Sequence, residues 1–290
     1  MPRKDSKLRP EFLTGTGILI IHAAAAYAIW RMCTTGFSGR AWLALALMWA
    51  ISMAGVTLGY HRHLTHEAFR CAPWLEKVLY AMAALSLEGK SGWWGDVHFQ
   101  HHVFTDREGD PHRPAEFGGG FAGWFWAHMG WMFFDILPAP SDYKHQDRFR
   151  ESPSVRWQEA WYPLLVASTF AIPFAIAGWD GVLLGGFFRI VACWHITWST
   201  NSFCHVFGDH AHAIDDSVRV IETRGARNFP AWCLFEILAI LSMGEFWHAN
   251  HHARQHSARL GWRWFEFDPG AWIVLAAERL GLVWQVRGPT

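Results

Sequence analysis

Three groups of histidines define the chemistry open to this chain. They are His61-Arg62-His63-Leu64-Thr65-His66, His98-Phe99-Gln100-His101-His102 and His248-Ala249-Asn250-His251-His252, the last two sharing the spacing H-x-x-H-H. Histidine makes up 18 of the 290 residues. At that frequency chance supplies the spacing roughly 0.07 times per chain, so two copies need a cause. On a helix, positions i, i+3 and i+4 share a face, so His98, His101 and His102 can aim at one point, and His248, His251 and His252 can do the same. His61 and His66 stand about 140° apart on an ideal α-helix. That suits a helix end where the backbone turns, or service to two neighbouring metals. Imidazole favours iron, copper, zinc and nickel, whereas calcium and magnesium want oxygen ligands. A single four-coordinate zinc would use about half of these side chains, so eight or nine histidines argue for two metals. The H-E-x-x-H pattern of zinc proteolysis is absent.

Clusters that share a metal site must be brought to one side of whatever supports them, and the rest of the sequence says what that support is. Charged residues are 17% of the chain, below the roughly 25% of a soluble domain, while 51% is hydrophobic. Four stretches lack Asp, Glu, Lys and Arg over about a bilayer's length: 12–30, 41–60, 160–179 and 190–208, the last extended backwards to 181 across Arg189. The expected spans are therefore 12–30, 41–60, 160–179 and 182–204, in two hairpins, with a polar cap over 61–159 and 205–290. Arg3, Lys4, Lys7 and Arg9 before the first span and Arg31 and Arg40 in its turn put the N-terminus in the cytoplasm by the positive-inside bias. The first apolar run reads as a span rather than a signal peptide because a second follows after ten residues.

Two further apolar segments, 72–87 and 117–134, are ambiguous by hydropathy. A single crossing at 72–87 would separate His66 from His98 by a bilayer, so this segment is expected to be an amphipathic interfacial helix, and 117–134 to lie at the interface or beneath the cap. The fold class that follows is an all-α integral membrane protein of one domain over 1–290. Four transmembrane helices carry interfacial helices and a cytoplasmic helical cap holding a dinuclear metal site, with both termini cytoplasmic. Equal numbers of basic and acidic residues, 25 each, leave no global field for nucleic acid. Five scattered cysteines without C-x-x-C pairing read as buried or lipid-facing thiols rather than a disulfide framework.

With these residues in place, the sequence resembles the membrane fatty acid desaturases of the Δ9 acyl-CoA and acyl-lipid type, the stearoyl-CoA desaturase-like group. The family's H-x-x-x-x-H box matches His61 to His66, and its two H-x-x-H-H boxes match the other clusters, the last preceded by Gly244-Glu245. Its N-x-x-x-H motif reads Asn201-Ser202-Phe203-Cys204-His205, and Asp110-Pro111-His112, His128-x-Gly130-Trp131 and Ser257-Ala258-Arg259-x-Gly261 match further positions. The resemblance implies two non-haem irons held by nine histidines, His61, His66, His98, His101, His102, His205, His248, His251 and His252, with Asn201 reaching one iron through water. It implies O2-dependent introduction of a cis double bond, at Δ9, into a saturated acyl-CoA or acyl-lipid. Imidazole ligands need partners that orient them, and Glu67, Asp96, Asp106, Asp110 and Glu245 are candidates.

Trp198 and Trp94 match family aromatics along the acyl tunnel, and counting back from His61 places Leu45 and Trp49 at its closed end. The bulk of Trp49 predicts a short tunnel and acyl chains of about 16 carbons or fewer. The stretch Asp209-His210-Ala211-His212 departs from the family's pattern. His63, His210, His212 and His256 are not expected to bind iron, and His22 and His195 inside the spans read as packed polar or ligand-supporting groups. No haem, flavin or ferredoxin signature is present, so electrons are expected from a separate ferredoxin, rubredoxin, flavoprotein reductase or cytochrome b5. A lipid hydroxylase or ketolase shares the histidine boxes but not N-x-x-x-H. A membrane metal transporter or haem electron carrier would place its ligands inside the spans, whereas here seven or eight of the nine lie at or beyond the span ends.

Overall fold

A computed structural model of the chain describes residues 10–134, 143–207, 212 and 229–289. Arg3, Lys4, Lys7, Arg9 and Asp209-His210-Ala211 lie outside the described residues. Helix α1 (Phe12–Thr34) opens with the Glu11 carboxylate accepting from the Thr14 N–H, and α2 (Gly39–Ala54) with Ser38 capping Ala41. Helix α2 runs on without a break into a π-helical stretch, Gly55–Thr65, which delivers the first histidine box. Then come α3 (Pro73–Ala84), α4 (Ser91–Phe104), α5 (Gly120–His128), the short α6 (Arg148–Glu151) and α7 (Pro153–Gly181). A second π-helical stretch (Val182–Phe188) leads into α8 (Arg189–Ser202), and α9 (Phe229–Leu241), α10 (His248–Ala253) and α11 (Pro269–Arg279) complete the helices.

Among the described residues, three runs are long and apolar enough to cross a membrane: Phe12–Thr34, Gly39–Thr65 and Pro153–Ser202. The third is not straight. Ala177 and Gly178 leave helical geometry, Gly178 at φ 59°, and the chain reverses there. Gly181 then lies so close to Pro173 that a Cβ would sit 1.9 Å from the Pro173 carbonyl oxygen. The expected 160–179 and 182–204 spans are thus two limbs of one helical run folded back on itself. Neither ambiguous segment is long enough to span: α3 has 12 residues and α5 has 9. Large apolar side chains such as Leu19, Leu43 and Leu164 remain exposed on the long helices, as a lipid-facing surface requires.

Helix α3 packs tightly along the π-helical stretch because glycines let it. A Cβ at Gly55 would fall 2.2 Å from the Ala83 nitrogen, and one at Gly59 2.9 Å from the Leu79 oxygen. Two buried arginines lock the elements together. Arg62 donates to the carbonyls of Ala258 (2.8 Å) and Met243 (2.9 Å) and to both oxygens of Asp268, whose carboxylate also accepts from the backbone of Leu260, Gly261 and Ala271. A two-stranded antiparallel ribbon, β1 (Arg70–Cys71) with β2 (Val283–Trp284), ties the C-terminal segment to the same place. Where the hairpins turn, Arg31 pairs with Asp180 at 2.6 Å.

Arg189, which interrupts an otherwise apolar stretch, is fully buried. It donates to the carbonyls of Gly185 (3.1 Å) and Leu85 (2.7 Å) and to the hydroxyls of Ser52 (3.2 Å) and Thr169 (2.7 Å). One side chain therefore joins α2, the end of α3, α7 and α8. Arg189→Ala leaves these acceptors without a donor and is expected to destabilise the protein by about 3 kcal/mol, with Arg189→Lys recovering only part of the loss because it cannot reach all four. Thermal unfolding in detergent micelles checks this, and an unchanged midpoint would refute it.

Candidate metal centre

The first box illustrates how helix geometry positions a ligand pair. An α-helix would place His61 and His66 about 140° apart. The π-helical winding of Gly55–Thr65 ends instead with the His66 N–H donating to the His61 carbonyl at 3.1 Å, a bond spanning five residues, so the two rings come to one face. Their centroids are 4.8 Å apart.

The two H-x-x-H-H boxes behave differently from the sequence expectation that each aims at one point. His98 and His102, four apart, join His61 and His66, whereas His101 turns to a second group. In the last box His248 and His252 belong to that second group and His251 crosses to the first. The reason is rotational: i and i+4 differ by about 40° around the axis, while i+3 lies about 60° to the other side of i. The result is one group of His61, His66, His98, His102 and His251 and another of His101, His205, His248 and His252, each with ligand nitrogens within 4.8 Å of one another. His205, just beyond α8, completes the second group from the N-x-x-x-H motif.

The inward nitrogens nearly touch. His61 Nε2 is 3.1 Å from His251 Nε2, and His251 Nε2 is 2.9 Å from His102 Nε2. His98 Nε2 is 3.1 Å from both His66 and His102. In the second group His248 Nε2 lies 3.2 Å from His205 and 3.1 Å from His252. Carboxylates meet the outward faces: Glu245 is 2.6 Å from His61 Nδ1, Asp110 3.1 Å from His101 Nδ1 and Asp106 3.2 Å from His205 Nδ1. A proton held on Nδ1 by a carboxylate leaves the Nε2 lone pair facing inward, the arrangement a metal ligand needs. Burial, then repulsion by neighbouring imidazoles, holds His66, His98, His102, His248, His251 and His252 well below the ordinary histidine pKa. Neutral imidazoles with converging lone pairs are a donor set that fits two transition-metal ions.

Glu67 and Asp96 are not brought to either group. Asp96, two residues before His98, turns to Tyr143 (2.9 Å) and His145 (2.5 Å), and Glu67 pairs with Arg148 at 3.3 Å. Of the other histidines, His63 meets Tyr80, His256 meets the His66 carbonyl oxygen and His212 meets Asn250. His210 lies outside the described residues. His22, His195 and His128 form a hydrogen-bonded chain, 3.1 and 2.8 Å per link, that ends on the Ser202 hydroxyl.

A cavity of about 780 Å³ adjoins the groups, lined among others by His61, His98, Trp94, Trp198 and Asn201. Leu45 and Trp49 do not line it. Met53, one turn beyond Trp49, does, and Trp49 packs against the cluster that contains Met53. The sequence reading also passed over Glu88. This residue lines the cavity and accepts from Trp94 Nε1 (3.2 Å) and Thr197 Oγ1 (3.0 Å), and burial lifts its carboxyl to about 7. Its signal was present: it is the lone charge between Lys77 and Lys90.

The sequence profile of the fatty acid desaturase family matches residues 15–285. The chain is 32% identical to an sn-2 palmitoyl-lipid 9-desaturase of Nostoc sp. (strain 36), over 92% of this chain and 87% of that protein. It is 34% identical to an sn-1 stearoyl-lipid 9-desaturase of Synechocystis sp., over 81% and 68% respectively. To Acyl-CoA 5-desaturase AL21 of Anemone leveillei it is 33% identical, over 86% and 72%. The paired histidine groups beside a largely apolar cavity and this length of similarity lead to one conclusion: the chain belongs to the fatty acid desaturase family, an oxidoreductase family of membrane lipid metabolism.

Proposed function

We propose that this protein uses O2 to introduce a cis double bond, at Δ9, into a saturated acyl chain carried as an acyl-lipid or acyl-CoA. The observation that carries this reading is the pair of histidine groups, five and four, bordering an apolar cavity. Two irons held by those nine histidines, with Asn201 acting through water, would supply the oxidising power that an unactivated methylene pair demands. The reaction balances as –CH2–CH2– plus O2, two electrons and two protons giving –CH=CH– and two waters. The electrons come from a separate donor of the ferredoxin, rubredoxin, flavoprotein reductase or cytochrome b5 class.

In this reading the protein's own groups position and exclude. Glu245, Asp106 and Asp110 hold ring protons on the outer nitrogens. Trp94 and Trp198 flank the acyl chain, and Trp49 behind Met53 closes the cavity's far end. The reversal at Ala177-Gly178 supports four membrane crossings, with the site and both termini on the cytoplasmic side. Parity agrees, since α3 and α5 are too short to add a crossing.

Expression in a desaturase-deficient host with a competent donor is expected to yield cis monounsaturated acyl chains, identified by mass spectrometry. A saturated or hydroxylated profile from folded, iron-loaded protein would overturn the proposal. Anaerobically purified protein is expected to hold about two irons per chain, and His101→Ala to lose iron and about 100-fold in activity. Met53→Ala and Trp49→Ala are each expected to shift products toward longer chains, and unchanged profiles in both would remove these residues from the tunnel's end. Glu88 is neutral below about pH 7 and ionises above it. A charge beside the acyl chain opposes binding, so KM is expected to rise roughly three- to tenfold as pH climbs through neutrality. Glu88→Gln should flatten that rise, and an unaltered pH profile would sink the assignment.

A further inference from the structure

A second cluster of metal-binding groups lies off the site just described. His63 lies two residues after His61, roughly opposite it on the helix, and therefore faces away from the paired groups. There it meets Cys71 of β1 and Glu76 of the first turn of α3. His63 Nε2 is 3.6 Å from Cys71 Sγ and 3.7 Å from Glu76 Oε1, and the three ligand atoms all fall within 4.8 Å of one another.

These separations have a chemical meaning. Around a tetrahedral zinc, with metal–sulfur near 2.3 Å and metal–nitrogen and metal–oxygen near 2.0–2.1 Å, sulfur and nitrogen ligands stand about 3.6 Å apart and nitrogen and oxygen ligands about 3.3 Å apart. Both observed distances are close to those edges before any ion draws the ligands in. Each ligand is also supported from behind. His63 Nδ1 meets the buried Tyr80 hydroxyl at 3.0 Å, which directs Nε2 toward the other two, and Ser154 donates to the outer oxygen of Glu76 at 2.6 Å. Such outer partners fix tautomer and orientation in histidine and carboxylate metal sites. Cys71 is buried and the Glu76 side chain is 24% exposed, so the cluster is closed on the sulfur side and open to water on the carboxylate side.

We propose that His63, Cys71 and Glu76 bind one borderline-soft divalent cation of the zinc class, with water in the fourth position, as a site separate from the two histidine groups. Thiolate, carboxylate and neutral imidazole bring two negative charges, which balance the ion, so a half-buried neutral site results. Binding breaks the S–H bond, forms a metal–sulfur bond and releases one proton to solvent. Burial pushes the Cys71 thiol up to about 12, so that proton stays on sulfur until the cation displaces it. The ion clasps the first box helix to β1 and to the start of α3. The proposal does not depend on the desaturase reading, since none of its three ligands belongs to the histidine groups.

The test uses cobalt as a probe. Co2+ is added anaerobically to iron-replete full-length protein, and the near-ultraviolet thiolate-to-cobalt charge-transfer band is recorded. All-histidine sites cannot produce that band. Wild type is expected to show it with about one cobalt per chain, and Cys71→Ser and His63→Gln to lose it while keeping their iron and their activity within about twofold. Zinc analysis of protein purified with zinc in the medium should show the same one-ion difference. No band in folded wild type, or a band that persists in Cys71→Ser, overturns the proposal and leaves a metal-free hydrogen-bonded cluster. Should Cys71→Ser fail to fold, the band in wild type and its loss in His63→Gln still decide the matter.

Discussion

His66, His98, His102, His248, His251 and His252 are buried with a ring nitrogen about 3 Å from that of another histidine, a packing that holds them uncharged, and that electrostatic constraint orders much of what surrounds them. Each additional proton inside the cluster would face several neighbours in a medium that screens poorly. Carboxylates are kept on the outside, where Glu245, Asp106 and Asp110 touch outer ring nitrogens. Those carboxylates need anchorage in turn. Arg62 lies between two box positions, reaches toward Glu245 at 3.5 Å and grips Asp268, and Asp268 holds the loop that follows α10. The buried ion pair is thus part of the scaffold for neutral ligands.

The same demand explains why helices of different pitch are mixed. A uniform α-helix through residues 39–65 would turn His61 and His66 apart, while five-residue hydrogen bonding turns them together. Wider winding needs room and close neighbours, and Gly55 and Gly59 give α3 that room. At the other end of the molecule, Arg189 and the Arg31 to Asp180 pair fasten the hairpins that carry the boxes.

Much of the candidate centre was legible in the sequence because ligand chemistry is written in residue type and short spacing. All nine histidines singled out by pattern and resemblance fall into the two groups. How they divide was not legible, since H-x-x-H-H fixes angles around one axis but says nothing of where a second group lies. Glu67 and Asp96 were near the boxes in sequence yet turn away, one at a left-handed residue (φ 48°) and one from the outer side of its helix. Leu45 and Trp49 were placed by counting turns on a helix that changes pitch before His61, and Met53 and Val56 are the apolar residues of that run that reach the cavity. The apolar stretches recur as long apolar helices. Their joining into one folded-back run over Pro153–Ser202 depends on backbone torsions at Ala177 and Gly178 that composition does not encode.

The exchange of ligands between the boxes has a consequence for biosynthesis. His251 completes one group and His252 the other, and both sit in the last sixth of the chain. Neither group is whole until translation is nearly finished. Any metal that the two groups take up would be captured late in the protein's assembly rather than nucleate it, and a chain truncated before residue 251 would emerge with both groups incomplete.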